Sequence, residues 1–101
     1  MSETHFQVIA HYHAITQEVE EVAGLLGKLA EASRQEEANL AYDYFQSVND
    51  PGHFVILEKY TDAAGFAAHR TYEHFKTLAI GEILPRLNSR TIETYEGRGD
   101  A

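Results

Sequence analysis

The amino-acid sequence predicts a single α+β domain whose elements follow in the order β-α-β-β-α-β. Four segments alternate apolar with polar residues or are rich in β-formers, which is typical of strands. Two regions carry apolar residues at helical spacing. Four turn formers in a row, residues 49–52, separate the second and third of the predicted strands. This order is the split βαβ arrangement, in which one sheet carries its helices on one face.

The first half of the chain supplies three strands and one helix. "FQVIAHYHA" (Phe6–Ala14) alternates and is predicted to be the first strand. Thr16 is expected to cap a helix that runs to about Arg34. Its apolar stripe consists of Val19, Val22, Leu25, Leu26 and Leu29. Residues 39–48 and 53–61 are predicted to be the second and third strands of a hairpin.

The second half supplies two helical segments and the last strand. Asp62 is expected to cap a short helix from Ala63 to about Arg70. A further helical segment is predicted from about Tyr72 to Leu84, because Pro85 cannot continue a helix. "RTIETYEG" (residues 90–97) is predicted to be the fourth strand.

Both faces of the predicted sheet carry apolar side chains. In the third strand Phe54 and Ile56 lie on one side and Val55 and Leu57 on the other. A sheet with helices on one face presents a polar opposite face when the protein is a monomer. We therefore predict a homodimer that packs sheet against sheet.

Composition excludes several classes of protein. The chain has 101 residues, predicted to form one domain over 1–101, and a net charge of −8. An acidic chain without a basic stripe is not expected to bind nucleic acid. No apolar run is long enough for a membrane span, and no secretory signal leads the chain. Together with the absence of cysteine, these features predict a cytoplasmic protein.

From Glu36 onward, the words "EEANLAYDYFQSVNDPGHFVILEKYTDAAGFAAHRTYEHFKT" resemble the antibiotic biosynthesis monooxygenase family. The residues that match the family pattern are Glu36, Glu37, Asn39, Leu40, Asp50, Pro51, Phe54, Val55, Glu58, Tyr60, Asp62, Ala68, His69, His74 and Phe75. The resemblance implies a ferredoxin-like subunit in a dimeric α/β-barrel. Its closest-looking branch includes quinol monooxygenases and autoinducer-2-phosphate isomerases.

The chain departs from the family pattern at several positions. Ala38 replaces a glycine, Tyr72 and Glu73 replace a Thr-Pro pair, and Tyr60 replaces a tryptophan of oxygenase members. Haem-degrading relatives place an axial histidine where this chain has residues 77–79, "TLA". No haem is therefore predicted.

Two histidines and one carboxylate are the candidate catalytic residues. His69 and His74 flank the junction of the two predicted helices, and imidazole titrates near neutral pH, so either could act as a general base. The simpler interpretation is that both pack the junction. We favour His74 as the base. Glu58 lies on an otherwise apolar strand face. It is expected either to pair with an arginine, Arg70 or Arg90, or to act as a tuned base or as the group that orients His69 or His74.

The predicted substrate-binding residues are mostly aromatic. An aromatic slot suits a flat substrate, although aromatics at such spacings also form ordinary core. The predicted set is Tyr44, Tyr60, Phe66, Tyr72, Phe75 and Lys76, with Tyr12 and Tyr42 as further lining. Lys76 would matter if the substrate carried a phosphate.

No cofactor or metal is predicted. No glycine-rich loop follows a strand, so flavin and nicotinamide are not expected. His11 and His13 share a strand face that could chelate a metal, but a site needs a third ligand, and we predict interface histidines instead.

These features favour a cofactor-independent monooxygenase of a small aromatic or quinol-type substrate. Histidines beside aromatics fit equally well an isomerase of a small phosphorylated dione. A non-catalytic dimeric module that binds a small molecule is the third alternative.

Overall fold

The computed structural model describes residues 4–98 and confirms the predicted α+β architecture. The first three and last three residues, and with them the prediction about a secretory signal, lie outside the described residues. The strands β1 (Thr4–Ala14), β2 (Asn39–Gln46), β3 (His53–Tyr60) and β4 (Leu87–Arg98) form one sheet in the order β2-β3-β1-β4. All three pairings are antiparallel, which is the ferredoxin-like topology.

Within residues 4–98, three helices connect the strands. Helix α1 (Val19–Ser33) follows a 3₁₀ turn and leads to β2, and the short helix α2 (Ala63–His69) follows β3. A third helix, α3 (Phe75–Ile83), has the wider π-type hydrogen bonding and ends in a 3₁₀ turn, Leu84–Arg86, before β4. Helix α1 packs against α3 over the sheet. Stretches of π-helix often occur at functional sites.

The core lies between the helices and one face of the sheet, which we call the inner face. Alternate residues of β3 are buried there: Phe54, Ile56, Glu58 and Tyr60. The predicted stripe of α1 packs on this face, because residues three and four apart share one side of a helix. Its buried members are Val22, Leu25, Leu26, Leu29, Ala30 and Ser33.

The structure corrects the predicted starts of α1 and β4. Thr16 does not cap α1; it is exposed and is the first residue of the 3₁₀ turn, where it makes no cap hydrogen bond. The helical segment predicted from about Tyr72 is confirmed: Glu73 and His74 are α-helical and lead directly into α3, and the Phe75 amide donates to the Tyr72 carbonyl. Strand β4 begins at Leu87, three residues before the predicted start. The Asp62 cap is confirmed, since its Oδ1 accepts from the Gly65 amide at 2.8 Å.

The opposite face of the sheet, the outer face, has no helix over it among residues 4–98. Its centre is apolar: Ile9 pairs with Leu57 and Phe45 pairs with Val55 across neighbouring strands. Phe45 is 54% exposed and Tyr95 is 50% exposed. None of the helices in residues 4–98 is both long and apolar enough to cross a membrane.

Two glycines provide a matched test of how tightly α2 lies on the sheet. A Cβ at Gly65 would lie 2.7 Å from the Ala38 Cβ and 3.2 Å from the Tyr60 Cβ, whereas one at Gly24 meets no described neighbour within 4 Å. Gly65→Ala is expected to lower the free energy of unfolding by about 1–3 kcal/mol through overpacking. Gly24→Ala, in the exposed face of α1, is expected to raise it by about 0.5–1 kcal/mol. Urea denaturation measures both, and the same sign in both variants would contradict this close packing.

Candidate active site

A cavity of about 390 Å³ lies between the inner face of the sheet and the helices α2 and α3. All four strands contribute to its floor, and the two helices close its sides. The lining residues are Ala10, Tyr12, Tyr42, Glu58, Phe66, His69, Arg70, Phe75, Ile80, Leu84, Arg90 and Ile92. The cavity is therefore mostly apolar, with a few converging polar groups, as small-molecule sites usually are.

Glu58 is a carboxylate on an otherwise apolar strand face. It is 5% exposed, and the Tyr60 hydroxyl donates to its Oε1 at 2.6 Å. Burial raises the pKa of Glu58 to about 7, the Tyr60 hydrogen bond opposes this shift, and the charge of Glu36 adds to it. At neutral pH the carboxyl is thus poised between its two protonation states.

His69, the last residue of α2, is 1% exposed and makes a hydrogen bond through Nδ1 to Glu36 Oε2 at 2.8 Å. An ionised carboxylate only accepts, so Nδ1 carries the hydrogen and donates it. The other ring nitrogen, Nε2, then has a free lone pair and lies 3.9 Å from Glu58 Oε1. Burial lowers the pKa of His69, although the hydrogen bond and the charge of Glu36 oppose this, so the ring is neutral near pH 7.

Glu36 connects both candidate histidines. Its Oε2 accepts from His69 and also from His74 Nε2 at 2.5 Å, and the Glu36 side chain is 3% exposed. The second oxygen, Oε1, is buried and has no hydrogen-bond partner among the residues that the structure describes. His74 also stacks on Tyr72, with ring centroids 5.3 Å apart. The carboxylate thus fixes the tautomer of His69 from behind the cavity.

Glu36, His69 and His74 could also hold a metal ion, because one possible ligand atom of each lies close to those of the other two. Two imidazoles and a carboxylate suit several transition metals. Here, however, both imidazoles already donate to one carboxylate oxygen. The three side chains are therefore bonded directly to one another, and we interpret them as a hydrogen-bond network that supports His69.

The structure brings together some of the predicted site residues. Glu58, His69, Phe66 and Phe75 all line the cavity, and Tyr60 lies behind Glu58 and contacts Phe66 and His69 through its ring. The further lining predicted at Tyr12 and Tyr42 is present as well.

The other predicted site residues lie elsewhere. His74, the favoured base, is not among the cavity-lining residues, because its ring points to Glu36. Tyr44 lies under α1, where a Cβ on Gly27 would be 3.1 Å from its hydroxyl. Tyr72 and Lys76 are exposed and do not line the cavity.

Sequence reasoning missed several members of the site. Glu36 was noticed only as part of the family pattern, with no role attached to it. Arg70 and Arg90 were considered as partners of Glu58; they line the cavity, but in the described structure Glu58 contacts Tyr60 and His69. Phe75 and Ile80 of α3 both line the cavity at a spacing of five residues, which an ordinary α-helical pattern does not predict.

The tyrosines of the cavity remain protonated at neutral pH. Burial raises the pKa of Tyr12 to about 12; the charge of Glu58 adds to this and Arg90 opposes it. Burial also raises the pKa of Tyr42 well above its ordinary value, with Glu58 again contributing. Both hydroxyls can therefore donate hydrogen bonds to a bound ligand.

The pKa of Glu58 predicts how stability depends on pH. Below pH 4.5, the ordinary pKa of a glutamate, the Glu58 carboxyl is protonated in both the folded and the unfolded chain. Between pH 4.5 and about pH 7, Glu58 ionises only in the unfolded chain. The native state therefore loses stability as pH rises through this window. Relative to Glu58→Gln, the wild type should lose on the order of 3 kcal/mol between pH 4 and pH 8.

Urea denaturation at pH 4 and pH 8 measures this difference. Glu37→Gln is the control, because Glu37 is an exposed glutamate. A difference between wild type and Glu58→Gln that does not change with pH would show that Glu58 titrates like an exposed carboxyl.

Comparisons with known proteins agree with this fold. A family model described as "Antibiotic biosynthesis monooxygenase" matches residues 6–79. A crystal structure titled as an antibiotic biosynthesis monooxygenase is 34% identical, with a TM-score of 0.84, and the match covers 89% of this chain and 95% of that one. PA3566 from Pseudomonas aeruginosa is 28% identical, with a TM-score of 0.83, over 92% of this chain and 93% of that one.

A curated relative is similar over a shorter segment. The Bacillus subtilis (strain 168) protein described as "Putative monooxygenase YcnE" is 42% identical over 48 residues. That segment is 48% of this chain, and it spans only half the length of the relative.

Proposed function

Because the chain belongs to the antibiotic biosynthesis monooxygenase family, we propose that it is a monooxygenase that oxidises a small aromatic, quinol-type substrate with dioxygen. The observation that carries this proposal is the Glu36–His69 hydrogen bond, which leaves the lone pair of His69 Nε2 beside Glu58 in the cavity. A base held in one tautomer next to aromatic walls is what a phenolic substrate needs.

In the proposed reaction, His69 Nε2 accepts the proton of a substrate hydroxyl. Glu36 is a positioning residue, since it acts through the imidazole and does not line the cavity. The charge on Glu36 stabilises the imidazolium that forms, as the carboxylate does in other His–carboxylate pairs. Glu58, with its pKa of about 7, is placed to exchange a proton with the substrate in the same step or its reversal.

The electron balance of this reaction closes without a redox cofactor. A hydroquinone and O₂ give a hydroxyquinone and water: one oxygen atom enters a ring C–H bond and the other leaves as water. The substrate loses four electrons, two in forming the quinone and two in the hydroxylation, and dioxygen gains all four. The deprotonated quinol is the electron donor, so the protein's part is to remove the proton, orient the ring and exclude water.

The cavity suits a ring of this kind. Its volume of about 390 Å³ is near the lower end of small-molecule sites, and Phe66 and Phe75 offer aromatic faces. Arg70, whose guanidinium lies 4.9 Å from the Phe66 ring centroid, and Arg90 can attract an anionic oxygen of the deprotonated substrate.

Oxygen uptake with a panel of benzoquinols and naphthoquinols tests the proposal. The protein is first treated with a chelator, and the autoxidation rate of each quinol without protein is subtracted. We expect saturable uptake that depends on protein concentration, retained in the control variant Lys76→Ala, which lies outside the cavity. Folded protein without uptake on any quinol would contradict the proposal.

A second candidate, an isomerase of a small phosphorylated dione, is favoured by one observation: the two arginines in the cavity. Bidentate guanidinium contacts suit a phosphate. This candidate predicts turnover of the dione under nitrogen and its loss in Arg90→Gln. Ligands that raise the melting temperature but are never converted would instead indicate a binding module.

We also propose that a second copy of the chain covers the outer face, where Phe45 and Tyr95 are half exposed. Light scattering at micromolar concentration is then expected to give twice the 11.4 kDa of one chain. Phe45→Glu should produce monomers, because it buries a charge in the apolar contact, whereas Val48→Glu, at a 97% exposed turn position, should not. A monomeric wild type would contradict this proposal. We propose a cytoplasmic location as well, as predicted from the sequence.

A further inference from the structure

Three histidines and an aspartate meet on the outer face, at the end of the sheet next to the β2–β3 turn. His11 and His13 lie on β1, and His53, the first residue of β3, pairs directly with His13. Asp50 belongs to the turn itself, where its carbonyl accepts from the His53 amide at 2.8 Å. The inner-face cavity lies on the other side of the sheet, so this group plays no part in the proposed oxidation.

These side chains contact one another closely. One ligand atom each of His13, Asp50 and His53 lies within 4.8 Å of the other two. The rings of His13 and His53 stack with centroids 4.5 Å apart. His11 Nδ1 and His53 Nε2 are hydrogen-bonded at 2.9 Å. Within a single chain the group is accessible to solvent, since Asp50 is exposed and the three histidines are partly exposed.

We propose that His13, His53 and Asp50 bind one divalent transition-metal ion of the zinc type. Two imidazoles and one carboxylate are ligands that Zn²⁺ commonly takes, with water in the fourth position. Tetrahedral coordination would bring the ligand atoms from within 4.8 Å to about 3.3 Å from one another.

His11 supports the site without binding the ion. Its hydrogen bond occupies Nε2 of His53, which leaves Nδ1 of His53 for the metal. When one nitrogen of an imidazole binds a metal, a hydrogen bond at the other nitrogen fixes the orientation and the tautomer of the ring. The ion would tie the β2–β3 turn to β1, so that metal binding stabilises the fold at this end of the sheet.

Zinc chloride alone is the probe, added to chelator-treated full-length chain in competition with a chromophoric chelator. We expect one Zn²⁺ per chain. His13→Gln and His53→Gln should each weaken binding by more than about 100-fold, and His11→Gln by about 10-fold, as expected for a ligand and for a supporting partner. His5→Gln is the matched control, because His5 lies on the same strand and alternates onto the same face.

Two further readouts separate this site from alternatives. Bound Co²⁺ should give the visible absorption of tetrahedral cobalt in the wild type and in His74→Gln but not in His13→Gln. Zn²⁺ should raise the melting temperature of the wild type and leave that of His13→Gln unchanged. The proposal is overturned if the wild type takes up no Zn²⁺, if His13→Gln binds as well as His5→Gln, or if His74→Gln removes the ion.

Discussion

His69→Gln is expected to lower the rate of enzyme-dependent oxygen uptake by about 10²–10⁴-fold, the usual cost of removing a general base. Glutamine has no group that accepts a proton at neutral pH, although its amide can still donate to Glu36. The variant should therefore stay folded, with an unchanged circular dichroism spectrum. Initial rates at saturating quinol and at low quinol separate a loss of turnover from a loss of binding.

His74→Gln is the matched comparison for this experiment. His74 shares the Glu36 oxygen but does not line the cavity, so its replacement should lower the rate by less than about 10-fold, well below the cost of losing a base. The reverse order, with His74→Gln nearly inactive and His69→Gln active, would make His74 the base, as the sequence suggested. Equal activity of all three proteins would leave both histidines as packing residues.

Glu36→Ala is expected to lower the free energy of unfolding by about 3 kcal/mol, because a buried donor left without its acceptor costs about 1–3 kcal/mol. The substitution removes the acceptor of both imidazole N–H groups, and His69 is buried. Glu36→Gln keeps one acceptor oxygen and should lose less. Urea denaturation at pH 7 measures each variant.

Glu37→Ala is the control, since the neighbouring Glu37 is exposed and its loss should change stability by less than about 0.5 kcal/mol. If Glu36→Ala proved no less stable than Glu37→Ala, the network would not stabilise the fold. A positioning role for Glu36 predicts, in addition, that Glu36→Gln lowers turnover more than it changes the quinol concentration at half-maximal rate.

The fold could be predicted because its signals are local. Alternation in Phe54–Tyr60 and helical spacing in Val22–Leu29 each record which side chains face the core, and both are confirmed by burial. Boundaries were less certain where local chemistry is ambiguous. Thr16 is a good cap residue in principle, yet the chain enters a 3₁₀ turn there and Ile15 occupies the cap position. The π-type winding of α3 has no sequence signal that we can identify.

The site was predicted only in part, because its decisive contacts join distant positions. Glu58 was recognisable as a charge on an apolar strand face. His69 was recognisable because it follows Phe66 by three residues and so shares its face of the helix. The hydrogen bond from His69 to Glu36 spans 33 residues of sequence and depends on how the loop before β2 meets the end of α2. The outer-face group was missed for the same reason, since His53 and Asp50 reach His13 only through the β1–β3 pairing.

Mass spectrometry of the product formed under ¹⁸O₂ tests the central claim most directly. The predicted result is a hydroxyquinone that carries one ¹⁸O atom from the gas, formed by the wild type and lost in His69→Gln. The labelled product must exceed the amount formed by autoxidation in buffer alone. A product without ¹⁸O, or the same labelled yield from wild type and His69→Gln, would contradict the assignment of His69 as the base of a monooxygenase.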